Sequence, residues 1–67
     1  MKIFAERLKE LRTEKNLSIR KLAEKLDISA SVLSAYEADK SEATGPMIIK
    51  LAEFYGVTAD YLLGLEL

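Results

Sequence analysis

The spacing of hydrophobic residues predicts helices along the whole chain. Near the N-terminus, Phe4, Leu8 and Leu11 recur every three or four residues within the stretch 2–15. This interval places them on one face of an amphipathic helix. No stretch alternates between apolar and polar residues as a half-buried strand does. We therefore expect an all-α fold.

The centre of the chain, residues 17–40, predicts two short helices joined by a tight turn. Ser18 and Ser29 are both good N-cap residues, and apolar residues at helical spacing follow each of them. The link between the helices is too short for an antiparallel arrangement, so they must cross sharply. Asp27 is then expected to end the first helix in a left-handed conformation, which costs a non-glycine residue about 1 kcal/mol.

Two more helices are predicted beyond this pair. Thr44 is a candidate N-cap ahead of Pro46, and Gly56 is placed to end that helix, while a last short helix ends at Gly64. We expect five short helices in a single domain over residues 1–67. The predicted core consists of Phe4, Leu8, Leu11, Leu22, Ala23, Leu26, Ile28, Leu33, Tyr36, Ile48, Leu51, Ala52 and Leu62.

Several short stretches occur in an order and spacing that carry more information together than any of them alone. They are ERLKELR at 6–12, LAEKL at 22–26, LSAYE at 33–37, KLA at 50–52 and GVTADYLLG at 56–64. In this order they resemble the lambda-repressor-like, Cro/C1-type helix-turn-helix family, with the motif at about residues 18–38. The resemblance implies a sequence-specific DNA-binding transcriptional regulator of the repressor type.

The family resemblance also implies which residues meet the DNA bases. The second motif helix is expected to enter the major groove with its N-terminal residues towards the base edges. The base-facing residues are then Ala30, Ser31, Ser34 and Ala35, where relatives usually offer Arg, Gln, Asn or Lys. Side chains that bind guanine or adenine through two hydrogen bonds are absent, so we expect weak direct readout.

Contacts to DNA phosphates are expected from the starts of both motif helices and from their flanks. No Lys or Arg occurs between Leu26 and Asp39. Ile19 stands where the family usually has a glutamine close to the DNA backbone. The phosphate-binding residues implied by the resemblance are Ser18, Arg20, Lys21, Ser29 and Lys40.

One pair of charges has a structural role in the family. The resemblance places Arg12 of the first helix against Glu37 at the end of the third, as a partly buried ion pair. Bidentate geometry would fix the first helix to the motif. The alternative is that both residues are ordinary surface charges.

Composition narrows the function further. The 67 residues are 49% hydrophobic and 31% charged with a net charge of −1, which describes a small soluble domain without an overall basic surface. The chain has no Cys and no His, so it lacks disulfides and the usual zinc ligands. We expect no enzyme activity, no cofactor, no metal and no small-molecule ligand. No signal peptide or membrane span is evident, which favours a cytoplasmic location.

The expected partners follow from these features. Double-stranded DNA with a palindromic operator is the first, and a second copy of the chain, bound through the C-terminal helix and the apolar tail 62–67, is another. An alternative function is a protein-interaction module that keeps the fold. In that case Ile19, Ala30, Ala35 and Ala38 would form a small apolar patch for a partner chain. The sequence leaves open whether the chain is the N-terminal part of a longer repressor.

Overall fold

A computed structural model describes residues 2–66, and this part of the chain forms five α-helices without a strand. The helices are α1 (Lys2–Glu14), α2 (Ile19–Leu26), α3 (Ala30–Glu37), α4 (Gly45–Tyr55) and α5 (Ala59–Leu63). The all-α prediction is confirmed, and the predicted helices appear in the predicted order.

Hydroxyl side chains begin all the helices after α1. The cap residues are Ser18, Ser29, Thr44 and Thr58, and each accepts a hydrogen bond from the backbone N–H three residues later. Such a bond satisfies one of the N–H groups that have no partner within the helix. These local contacts fix where α2 and α3 begin, and thereby the geometry of the turn between them.

Left-handed residues end the helices. Asp27 has φ 57° and ψ 46°, as predicted, and the N–H of Ile28 then donates to the carbonyl of Ala23 at 3.0 Å. Asn16 and Asp39 also have positive φ angles of 56° and 58°. The conformation of Asp39 was not predicted. It turns the chain after α3 so that the N–H of Lys40 reaches the carbonyl of Ala35 at 2.9 Å.

The core lies where all five helices meet. Its fully buried side chains are Phe4, Leu8, Leu22, Leu33, Leu51 and Leu62. The predicted core needs a correction at its edges, because Leu11, Ile28 and Ile48 are only partly buried, whereas Ala5 and Tyr55 are buried. Helical periodicity identifies the inward face, but it does not tell how far the neighbouring helix extends along that face.

The first and last helices pack directly on each other. The Arg7 guanidinium stacks 4.1 Å from the ring centroid of Tyr61 and donates a hydrogen bond to the Tyr61 carbonyl. Ile3 lies against Gly64, where a Cβ atom would come within 2.9 Å of its side chain. Within residues 2–66, none of the helices has the length and apolar character needed to cross a membrane.

Candidate nucleic-acid interface

The helices α2 and α3 form the motif that the sequence predicted. A turn of three residues, 27–29, joins them, and their buried faces carry Leu22, Ala23 and Leu26 from α2 and Leu33 and Tyr36 from α3. Ala23 has no side chain beyond Cβ, which suits it to the place where two helix axes come close. The opposite face of α3 is exposed.

The residues expected to face DNA bases lie mostly on that outer face. Ala30, Ser31 and Ser34 are exposed, whereas Ala35 is half-buried. The Ser29 and Ser31 hydroxyls lie 3.3 Å apart at the start of α3. The face therefore offers serine hydroxyls as its polar groups, and α3 itself carries no cation.

The residues expected to bind phosphates lie around the starts of α2 and α3 and just after the end of α3. Ser18 and Ser29 use their oxygens as N-caps, accepting from the N–H of Lys21 and Val32 at 3.1 Å in both cases. Because a hydroxyl can donate while it accepts, Ser18 keeps a hydrogen for a phosphate oxygen, and Ser29 does so when Ser31 is the donor in their mutual contact. Arg20, Lys21 and Lys40 are exposed.

Lys21 also lies near an acidic residue of its own helix. Its ammonium is 3.9 Å from the Glu24 carboxylate, and both side chains are mostly exposed. Such a pair contributes at most a few tenths of a kcal/mol, about 0.3 to 0.5. Lys21 therefore remains able to bind another anion.

Arg12 and Glu37 lie together in bidentate geometry. Arg12 donates from Nε and Nη2 to the two carboxylate oxygens at 2.8 and 3.0 Å, and from Nη1 to the Leu17 carbonyl at 2.8 Å. The side chains are only 14% and 6% exposed, so they are not ordinary surface charges. The pair fixes α1 and the start of the motif to the end of α3.

The electrostatics of this pair extend to Tyr55. The hydrogen bond to Glu37 raises the pKa of Arg12 above its ordinary value, against the opposing effect of burial. Burial, followed by the nearby charge of Glu37, raises the pKa of Tyr55 to about 12, with Arg12 acting in the other direction. The Tyr55 hydroxyl is buried and has no hydrogen-bond partner within residues 2–66.

A shallow groove of about 240 Å³ runs between α1 and the motif. Its lining comes from two α1 cations, the start of α2 and the last turn of α3: Lys9, Arg12, Ile19, Ser34, Glu37 and Ala38. The apolar patch expected from the sequence comprises Ile19, Ala30, Ala35 and Ala38. Ile19 and Ala38 line the groove, whereas Ala30 and Ala35 do not. Because Ser34 lies on the outer face of α3, the groove opens beside that face.

Sequence reasoning missed the position of Lys9. An amphipathic pattern identifies only the buried side of a helix, so it does not show what an exposed side chain such as Lys9 lies beside. The i, i+3 spacing from Lys9 to Arg12 was the available signal, since it places both residues on one side of α1.

Within the described part of the chain, no group of acidic side chains could hold a metal ion.

These features together define a helix-turn-helix domain, and comparison with known proteins agrees. A helix-turn-helix family profile matches residues 8–62. The chain belongs to this family, of the Cro/C1 type, as the sequence predicted. The family is one of transcriptional regulators, which agrees with the expectation that the chain is not an enzyme.

Similar proteins include several named regulators. The chain is 36% identical over 63 residues to the uncharacterized HTH-type transcriptional regulator YobD of Bacillus subtilis, covering 94% of this chain and 56% of YobD. It is 41% identical over 61 residues to the HTH-type transcriptional regulator ImmR of the same organism, covering 91% of this chain and 48% of ImmR. It is 38% identical over 63 residues to the HTH-type transcriptional activator BcrR of Enterococcus faecalis, covering 94% of this chain and 31% of BcrR.

These relatives are longer than the region in which they match this chain. The chain spans between about a third and a little over half of each of the three. The similarity therefore concerns the helix-turn-helix domain, and one of the relatives is named an activator.

Proposed function

We propose that this domain binds double-stranded DNA as a sequence-specific transcriptional regulator, with α3 in the major groove. The observation that carries the proposal is the helix-turn-helix pair itself, with Ser31 and Ser34 on the open face of α3, in a chain that matches the family over residues 8–62. We assign Ala30, Ser31, Ser34 and Ala35 to the bases, and a cytoplasmic location follows from a DNA partner.

The polar groups around α3 support a clamp on DNA phosphates. Arg20 and Lys21 project from the first turn of α2, and Lys40 follows the left-handed turn after α3. Along the chain, the N-cap Ser18 comes just before Arg20 and Lys21, and the N-cap Ser29 lies between Lys21 and Lys40. Cations and hydroxyls in these places bind the backbone without reading sequence.

The α3 surface offers few side-chain groups for reading a DNA sequence. Readout by two serine hydroxyls and alanine methyls is weak at one half-site. Two copies on a palindromic operator would combine two such half-sites about 34 Å apart. We therefore propose a homodimeric repressor, joined through α5 and the tail.

The tail of the chain supports this dimer proposal. Leu62 is fully buried and Leu63 is half-buried, so these two belong to the domain, whereas Leu65 is 64% exposed. Ile3, also largely exposed, lies against Gly64, the residue before Leu65. The two side chains provide an apolar surface at the junction of α1 and α5. Leu67, which we included in the predicted tail contact, lies outside the described residues.

Selection of bound duplexes from a random DNA pool at low salt tests the proposal, and recovery of an inverted repeat is the expected result. On the selected duplex, Lys40→Ala should lower the salt slope of the affinity by about 0.9 per bound copy, because one phosphate contact is lost. Lys50→Ala, on α4 away from the motif, is the matched control. Absence of DNA binding at about 50 mM salt would overturn the proposal.

A second candidate function is a protein-interaction module. The observation that favours it is the lack of any Lys or Arg in α3, together with the apolar contact surface of Ile19 and Ala38 in the groove. A surface of this kind would bind a partner chain with little dependence on salt. If the parent chain shows no DNA binding, this becomes the favoured function.

A further inference from the structure

We propose that the groove between α1 and the motif receives the DNA backbone, with a phosphate at Lys9 and the adjoining deoxyribose on Ile19 and Ala38. The inference rests on the proposed function and extends the DNA contacts to α1. The groove is lined by residues of α1, α2 and α3 together with Ala38, and it opens beside Ser34 on the outer face of α3.

The charges in the groove favour an anion. Lys9 and Arg12 are its cations, and Glu37 is its only carboxylate. Glu37 is held by Arg12 through two hydrogen bonds, so these two charges balance each other. The Lys9 side chain is exposed and forms no ion pair with any residue in the range 2–66. One positive charge is thus uncompensated at the rim of the groove.

The remaining lining favours a sugar next to that anion. Ile19 is half-buried and Ala38 is exposed, and together they present hydrocarbon to the groove. The carbon atoms of a deoxyribose can cover such a surface, whereas a free inorganic anion would leave it in contact with water. Ser34 adds a hydroxyl that can donate to an oxygen of the backbone. A sugar-phosphate strand matches all three features.

The position of Ile19 also gains an explanation. Ile19 is the first residue of α2, is half-buried and lines the groove, so at this place α2 offers hydrocarbon and no polar side chain. In this arrangement Lys9 supplies the charge from α1, and Ile19 contributes apolar contact to the same stretch of strand. The backbone contact is therefore divided between two helices.

Matched variants of Lys9 test the phosphate contact on a random-sequence duplex. Lys9→Ala should lower the slope of log affinity against log salt by about 0.9 per bound copy, which corresponds to about an eightfold loss at 0.1 M salt. Lys9→Arg should restore the parent slope, since it keeps the charge. Lys50→Ala also removes one positive charge, but from α4, which does not line the groove, so the slope should stay at the parent value.

The isosteric pair Ile19→Asn and Ile19→Asp tests the location of the strand. Both variants lose the same apolar contact, but only Asp sets a negative charge against a phosphate. Asp should bind DNA at least about tenfold more weakly than Asn at low salt, and the difference should shrink as salt screens it. Circular dichroism spectra of both variants should match, because the changes are nearly identical in shape.

The outcomes separate this inference from the proposed function. If the parent chain binds DNA but Lys9→Ala keeps the parent slope, or if Asn and Asp bind DNA equally, the groove does not hold the backbone and the proposed function stands. If the parent chain binds no DNA, both fall. If Ile19→Asp instead abolishes a salt-insensitive complex with a protein, the groove belongs to a protein partner.

Discussion

At the scale of single residues, the buried hydroxyl of Tyr55 is an unusual feature. A buried polar group without a hydrogen bond costs about 1 to 3 kcal/mol of stability. The ring makes a favourable aromatic contact, since it packs edge-on against Phe54 with ring centroids 5.1 Å apart. Tyr55 thus combines a favourable aromatic contact with an unfavourable buried hydroxyl.

We predict that Tyr55→Phe leaves the free energy of unfolding at pH 7 unchanged or raises it by up to about 1 kcal/mol. The hydroxyl has no partner to lose, and the ring is kept. Urea unfolding followed by circular dichroism measures this directly. A loss above about 1 kcal/mol would show that the hydroxyl makes a hydrogen bond in solution.

The same variant should change the response to alkaline pH. The Tyr55 pKa is about 12 in the folded chain, against 10.0 for a free tyrosine, because burial disfavours the charged form, so the contribution of this group to folding stability is highest below pH 10. This contribution is lost as the pH rises from 10 towards about 12. The free energy of unfolding of Tyr55→Phe should therefore fall less steeply over this range than that of the parent. All other titrating groups are the same in the two proteins, so the difference reports on Tyr55 alone.

Much of the residue-scale structure followed from local rules. Ser18, Ser29 and Asp27 act through hydrogen bonds to residues three or four positions away, so the sequence contains both partners. The contact between Arg7 and Tyr61 spans 54 positions and exists only because α1 crosses α5. No periodic pattern shows such a crossing, which is why this contact and the groove at Lys9 were not predicted.

At the scale of elements, the turn between α2 and α3 contains a residue in an unfavourable backbone conformation. Asp27 occupies the left-handed region with φ 57°, and only glycine adopts this conformation without strain. The two N-cap serines and the apolar spacing predicted two helices here, and local capping explains where α2 ends and α3 begins. The sharp turn therefore requires a left-handed conformation that is unfavourable for Asp27.

We predict that Asp27→Gly raises the free energy of unfolding by about 0.5 to 1 kcal/mol. Asp27→Val should lower it by more than that, because a branched Cβ is strongly disfavoured at a positive φ. Thermal unfolding of the two variants and the parent gives the comparison. Equal stabilities for Gly and Val would mean that residue 27 leaves the left-handed conformation in solution.

At the scale of the whole molecule, the proposed dimer depends on the exposed Leu65 of the tail. We predict that the parent chain sediments as a dimer and that Leu65→Asp raises the dissociation constant at least about tenfold, because a charge would be buried in the contact. Ile49→Asp is the matched control, since Ile49 is 56% exposed on α4, away from the tail. Identical sedimentation of the parent and Leu65→Asp would remove the tail from the dimer.

The packing of α1 on α5 has a consequence during synthesis. The apolar face of α1 is synthesised before the other four helices, yet Phe4 and Leu8 share their core with Leu62, which is the last of the core residues in chain order. At about 5 to 20 residues per second, that face waits several seconds for its final cover. A nascent chain that stops before α5 can pack Phe4 against Tyr36 but lacks the contact with Leu62, so the core is complete only when the fifth helix has been translated.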